Sequence, residues 1–244
     1  MGPRTEGHMF AVDHAATALL IKRRFRSVPL TPILVSVQAM EIAWVGLNYL
    51  GVERTTTEAQ VRSVADIHLA YMPFSHSVAT AAGAALLAWL FVEKGLGRPL
   101  VARAIGIGIA SHLVLDLMTH ARDIALWPGS AVPALGLGLY DRAPMWGFAL
   151  EMAYGVVCWG VYRGSRPLLA MIVLGNLANI TLFSASIPGP ERYLAGHPQM
   201  VVTLVFVQIV ATLALIKVLA ARPVPGHLDL LAELHGTSAA RSGC

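Results

Sequence analysis

Hydrophobic and polar positions in this chain fall into long blocks rather than alternating. Near-continuous apolar runs occupy residues 30–50, 74–92, 101–120, 145–162, 167–187 and 199–219. Each is close to the roughly 20 residues an α-helix needs to cross a hydrocarbon core. A seventh run, Met9 to Ile21, is shorter and carries Asp13 and His14. The alternating ten-residue pattern of a membrane barrel is absent. Lipid then leaves helices, because backbone polar groups must find partners inside the segment. The pattern predicts an all-α, polytopic membrane protein with six or seven transmembrane helices. Residues 1–222 form one helical domain, and 223–244 form a flexible cytoplasmic tail with a short surface helix at "HLDLLAELH" (227–235).

Composition agrees. Hydrophobic residues make up 56% and charged residues 13%, against about 25% charged in an average soluble chain. Mean hydropathy is +0.62. Lysine and arginine set the orientation, since cytoplasmic loops carry the excess. Loops taken alternately hold Lys22, Arg23, Arg24, Arg26, Lys94, Arg98, Arg103, Arg163, Arg166, Lys217, Arg222 and Arg241 on one side. The other side holds only Arg4, Arg54, Arg62, Arg122, Arg142 and Arg192. The richer side is cytoplasmic, which places the N-terminus outside and the C-terminus inside a plasma (bacterial inner) membrane. The basic cluster at 22–24 follows its apolar run, unlike a secretory signal. Met9 is a second candidate start behind the leader "MGPRTEGH". Cys158 and Cys244 make no disulfide framework. The net charge of +4 is scattered over helix ends and predicts no nucleic-acid partner.

That orientation gathers ionisable residues toward the outer face. Asp13 and His14, Asp66 and His68, His76, Asp116 and His120, and Glu151 all lie there, while Glu41 stands apart in mid-span. In "SHLVLDLMTH" (111–120), His112, Asp116 and His120 recur every four residues and share one stripe of a helix. An ionised carboxylate in lipid is costly, so the stripe must face protein, water or a metal. Imidazole and carboxylate suit zinc and related divalent ions. One helix gives only part of a ligand set; His14, His76 of "FSHS", and Asp66 and His68 of "ADIH" offer the rest. Thr80, Gly83 and Ala84 on one helix, and Gly106 and Gly108 on the next, form small-residue faces for close approach. The structural alternative is an Asp–His pair that locks helices by hydrogen bonding, with His120 an interface residue. His197, His227 and His235 read as loop or tail residues. The first helix is short, about 20 Å against about 30 Å of hydrocarbon. It either relies on a thinned bilayer or lies on the inner face, away from the other histidines. "TTTE" (55–58) has capping-box spacing and predicts a short outer helix. Asn176 and Asn179 predict interhelical hydrogen bonds. The loop "SAVPALGLGLYDRAP" (130–144) reads as a connector, with a lid as the alternative.

The segment "SHLVLDLMTHARDIALWPG" (111–129) resembles the S-H-x-x-x-D-x-x-T…L-W-P element of the inner-membrane metal-dependent hydrolases, some described as LexA-regulated membrane proteins. "FSHS" (74–77) is similar to that family's T-H-S element, and the early histidine of "DHAATALLIKRRF" is similar too. The family is distantly similar to zinc-dependent phospholipase C and P1 nuclease. The resemblance spans about half the chain. It implies a divalent metal, zinc or else manganese, held by His14, His76, His112 and Asp116. The expected function is hydrolysis at a metal site near the outer face, on a phosphoester or lipid-like substrate, with the bilayer as partner. His120, Asp66 or Glu151 serves as proton carrier or orienting group. Two other functions compete. A transporter would use Glu41, His112, Asp116 and Glu151 as a relay, but no inverted repeat is visible. A non-catalytic scaffold would use the cluster as structure alone.

Overall fold

A computed structural model describes residues 11–130 and 135–221. Among these, nine α-helices form: α1 Ala11–Arg24, α2 Leu30–Val37, α3 Ala39–Tyr49, α4 Val78–Leu90, α5 Pro99–Thr119, α6 Leu139–Arg142, α7 Pro144–Tyr162, α8 Arg166–Leu177 and α9 Pro198–Ala220. Proline opens α5, α7, α8 and α9, at a position whose N–H would lack an intrahelical partner in any case. The leader 1–8, loop residues 131–134 and the tail 223–244 with its expected helix lie outside the described residues.

Three helices are long and apolar enough to cross a membrane: Val78–Gly95, where α4 continues through a π turn, Pro99–Thr119 and Pro198–Ala220. The pair α2 and α3 makes a fourth if counted as one span bent by 53°. Hydropathy along the chain predicts six or seven, and the difference has a physical cause. An apolar run records burial, whether against lipid or against protein. α1 packs against α2, α5, α7, α8 and α9, and ten of its 14 residues are buried. A helix enclosed by protein on all sides is hydrophobic all round and need not match the bilayer in length. Its inner surface is the main core, with Leu19, Ile33, Leu34, Leu168, Ile172 and Ile216. α8 has 12 residues, and α7 carries Glu151 within its 19.

The expected small-residue faces are partly different. The α4–α5 seam is built from alanines, with Ala81, Ala84 and Ala85 against Ile105 and Ile109. Gly106 belongs to it, since a Cβ there would lie 3.6 Å from Trp89 Cβ. Gly83 does not: nothing lies within 4 Å of its missing Cβ. Gly108 faces α2, where Ser36 occupies the space a side chain would need. Asn179 Nδ2 donates within its own helix turn, to the Gly175 carbonyl at 2.9 Å. Asn176 Nδ2 likewise bonds the Ile172 carbonyl at 3.1 Å, and its side chain also meets Asp13 of α1.

"TTTE" does not start a helix. Arg54–Thr57 is a strand (β1), paired antiparallel with Ile67–Tyr71 (β2). Three successive β-branched threonines favour the extended chain. The capping box sits instead at Ser63–Asp66, on a single 3₁₀ turn. Basic residues gather at one end of the bundle: Lys22, Arg23, Arg26 and Arg163 border one surface hollow, and Arg24 and Arg103 border the next. α1 and α5 carry their histidines toward their opposite ends.

Candidate metal centre

The second half of α5 presents His112 and Asp116 one turn apart, with His112 Nε2 at 3.0 Å from Asp116 Oδ2. The other oxygen, Oδ1, faces His14 Nε2 of α1 at 3.2 Å. The His14 and His112 rings stack at 4.1 Å. That contact places His14 in the cluster rather than apart from it. His76 Nε2 comes within 3.8 Å of Asp116 Oδ2 and 3.6 Å of Glu41 Oε1. Glu41 Oε1 is also 3.9 Å from His112 Nε2. The His120 ring lies 5.1 Å from that of His76. All six residues are buried. Three overlapping trios, His14–His112–Asp116, Glu41–His76–His112 and His76–Asp116–His120, each bring their donor atoms within 4.8 Å of one another.

Backbone devices position each side chain. α5 ends at Thr119, and His120 turns out of the helix at φ −61° and ψ 147° while its N–H still reaches the Asp116 carbonyl. His120 therefore leaves the helical stripe yet keeps its ring at the cluster. His76 precedes the α4 N-cap, Ser77, whose Oγ accepts from Thr80 N at 3.3 Å. The chain leaving α5 closes over this point: Val78 N donates to Ala125 O and Ala79 N to Leu126 O, both at 2.9 Å.

Glu41 is the member that the sequence does not place. A straight second helix leaves it in mid-span, apart from the others. The structure breaks that helix at Gln38, whose Nε2 donates to the Ala11 carbonyl of α1 at 2.7 Å. α3 restarts in a new direction with Glu41 in its first turn. Two signals were present, a glutamine and a carboxylate inside one apolar run, and intramembrane ionisable groups are functional candidates by default.

The outer nitrogens of three rings are committed. His112 Nδ1 lies 3.3 Å from the Val37 carbonyl, which can only accept, so the Nδ1–H donates. His120 Nδ1 lies 3.3 Å from the Asp123 carboxylate. His76 Nδ1 is 2.7 Å from Ser75 Oγ. The single hydroxyl proton of Ser75 goes to Glu53 Oε2 at 2.6 Å, so Ser75 accepts from His76. Glu53 Oε1 in turn accepts from the Phe74 and Ser75 backbone N–H groups, at 2.9 and 2.8 Å. With Nδ1–H turned outward, the Nε2 lone pairs of His76 and His112 face carboxylate oxygens. Acceptors facing acceptors require positive charge between them, from protons or from a metal ion. At His120, burial opposes a charged ring. Asp123, then Asp116 and Glu41, overcome that and raise its pKa to about 9.

Other expected site residues are placed elsewhere. Asp66 Oδ2 accepts from the Arg62 and Ser63 N–H groups at 2.8 and 3.0 Å, capping its own turn. His68 pairs with Glu58 at 2.8 Å on the exposed side of β2. Glu151 is buried and accepts from the Tyr140 hydroxyl. Burial first, then the Glu151 charge, push the Tyr140 pKa well above its usual range, so Tyr140 remains the donor. Glu151 sits beside Asp13 and belongs to none of the three trios. His197 is at the exposed start of α9. Glu53, Ser75 and Asp123 escape a search for ligands because they hold the rings from outside; Ser75 and Asp123 are signalled only by closeness in sequence to His76 and His120, and Glu53, 22 residues before Ser75, by nothing local.

Comparison with known proteins returns no family model, no curated protein and no solved structure that matches the chain.

The Ser75 bridge predicts an effect on metal binding without loss of a ligand. In zinc titrations of purified protein, Ser75→Ala should weaken binding about 10–100-fold, as loss of an outer-shell partner does elsewhere. His197→Ala should change nothing. Equal affinity in Ser75→Ala and the parent protein would show that this bridge does not set the His76 ring.

Proposed function

We propose that this protein is a membrane-embedded, metal-dependent hydrolase, with His14, His76, His112 and Asp116 holding a divalent ion. The observation that carries this is the outward commitment of the His76 and His112 Nδ1–H groups, to Ser75 Oγ and the Val37 carbonyl, which turns both Nε2 atoms toward Asp116 as outer-shell partners turn metal-bound histidines. Three of the four, His14, His112 and Asp116, bring their donor atoms within 4.8 Å of one another, the number a catalytic zinc site uses while keeping one position for water or substrate; His76 Nε2 follows at 3.8 Å from Asp116. The donor set of nitrogen and oxygen suits zinc, with manganese the second choice. The resemblance of residues 111–129 to the inner-membrane metal-dependent hydrolases supports His112 and Asp116, and those of "FSHS" and "DHAATALLIKRRF" support His76 and His14.

When bound, such an ion acidifies water and polarises an ester oxygen. In hydrolysis, the water oxygen bonds to phosphorus or acyl carbon, the bond to the leaving oxygen breaks, and the leaving group departs as an alcohol. In this reading Glu41 receives the proton that water gives up, and His120, backed by Asp123, returns one to the leaving oxygen. Asp66 and Glu151 receive no proton-transfer role here, because the turn and Tyr140 engage their carboxylates. A transporter is disfavoured: α2–α3 is the single broken pair among the described helices, whereas transporter sites use matched pairs in two repeats.

Metal analysis tests the proposal. Purified protein should carry zinc or manganese, and both metal and hydrolysis of p-nitrophenyl phosphate or p-nitrophenyl butyrate should vanish on chelation and return with metal. Asp116→Asn keeps volume, yet should lower metal affinity by more than about 100-fold, beyond the outer-shell range. His112→Ala should do the same, and the double variant should be scarcely worse. A protein that takes up neither zinc nor manganese, or an Asp116→Asn variant with full metal content, would leave the cluster as helix-locking structure.

The finer placement belongs to the same proposal: six or seven helices traverse the plasma (inner) membrane, counting α7 and α8, which keep exposed apolar side chains, and the enclosed α1. The basic end lies inside and the histidine end outside, which follows the loop charges. In a cysteine-free background, Arg62→Cys should react with an impermeant maleimide from outside and Arg163→Cys only from inside. The reverse pattern would invert the site.

A further inference from the structure

A cavity of about 390 Å³ lies between α9 and residues 178–194, within the usual range for ligand pockets of about 300–1,000 Å³. Its inner end includes Glu41, whose carboxylate belongs to the histidine cluster, and Ala11, three residues before His14. Leu182, Leu194, Val201 and Val205 give it aliphatic walls. Its mouth includes Leu204 and Val207 of α9, 51% and 55% exposed. α9 is the most apolar of the three single spans, with mean hydropathy 2.4 against 1.6 and 1.3. The cavity thus leads from the face best suited to lipid directly to the cluster.

Its polar groups decide what fits. Glu191 is occupied by Thr181 Oγ1 and by Gly189 N, each at 2.9 Å. Asn179 Nδ2 is bonded to the Gly175 carbonyl. Glu41 at the inner end and Gln208 are the other polar side chains of the lining. A polar solute would lose its water and find few partners along the walls. An alkyl chain loses nothing there, and its only polar demand falls at Glu41.

We propose that the substrate is a long-chain amphiphile taken sideways from the bilayer, its alkyl chain in this cavity and its hydrolysable head at the Glu41 end. This rests on the hydrolase reading above and names its substrate class. Access through α9 makes the bilayer itself the substrate reservoir.

The test uses full-length protein in phosphatidylcholine nanodiscs with a hexadecyl phosphate carrying a diazirine in the distal half of its chain. Zinc content is read in the same samples. Photolabelling should concentrate on residues 182–208. Excess hexadecyl phosphate should compete, and inorganic phosphate should not. Ala178→Trp and Ala211→Trp, both at exposed lining positions, should each cut labelling about tenfold, a loss equal to about 1.4 kcal/mol of binding, with zinc content unchanged. Labelling spread evenly over outer lipid-facing residues such as Leu86 and Leu215, equal competition by inorganic phosphate, or tryptophan variants that label normally would each overturn the inference. If zinc binds while the cavity stays unlabelled, the hydrolase survives and the cavity claim falls. Cavity labelling in a protein that takes up no zinc would overturn both.

Discussion

Two carboxylates buried among four imidazoles constrain everything else in this molecule. Asp116 and Glu41 are shielded from water, and their charges cannot be left uncompensated. Removing one partner of a buried ionic group costs about 3–5 kcal/mol, a large share of a typical domain's net stability of about 5–15 kcal/mol. The fold therefore has to deliver His14, His76 and His112 to the same point, together with His120. It does so with four separate devices: an enclosed helix α1, a broken helix at Gln38, a capped loop ahead of α4 and an abrupt end to α5.

Each device has a local cause. Gln38 breaks an apolar run because its side chain bonds across to Ala11, and the bend brings Glu41 inward. Gly108 lets Ser36 of α2 press against α5, just before Val37 supplies the carbonyl that holds His112. Packing and ring orientation are thus the same event on that side. On the other side, Glu53 gathers three donors from Phe74 and Ser75, so the loop shape and the His76 ring are fixed together.

Much of this was legible in the residues. His112 and Asp116 declared themselves by four-residue spacing in an apolar run, and the convergence of His14 and His76 followed from alternating loop charge. Glu41 was hidden because periodicity cannot show a helix break. Hydropathy does not distinguish lipid from surrounding protein, so the enclosed α1 reads like the helices that are long and apolar enough to cross a membrane. Asp66 looked like a site residue from its place in "ADIH" among the outer-face ionisable residues; its role as a cap depends on a 3₁₀ turn that the sequence does not announce. Three threonines carried both a capping pattern and a strand preference, and the pairing with β2 decided between them.

X-ray absorption at the zinc edge of the zinc-loaded protein tests the central claim most directly. The account predicts a shell of nitrogen and oxygen at about 2.0–2.1 Å, with the outer-shell scattering of at least two imidazoles. Asp116→Asn should abolish that signal. A shell with sulfur at about 2.3 Å, or one of oxygen alone without imidazole, would contradict it: the ion would then sit elsewhere, and the buried cluster would be held by protons.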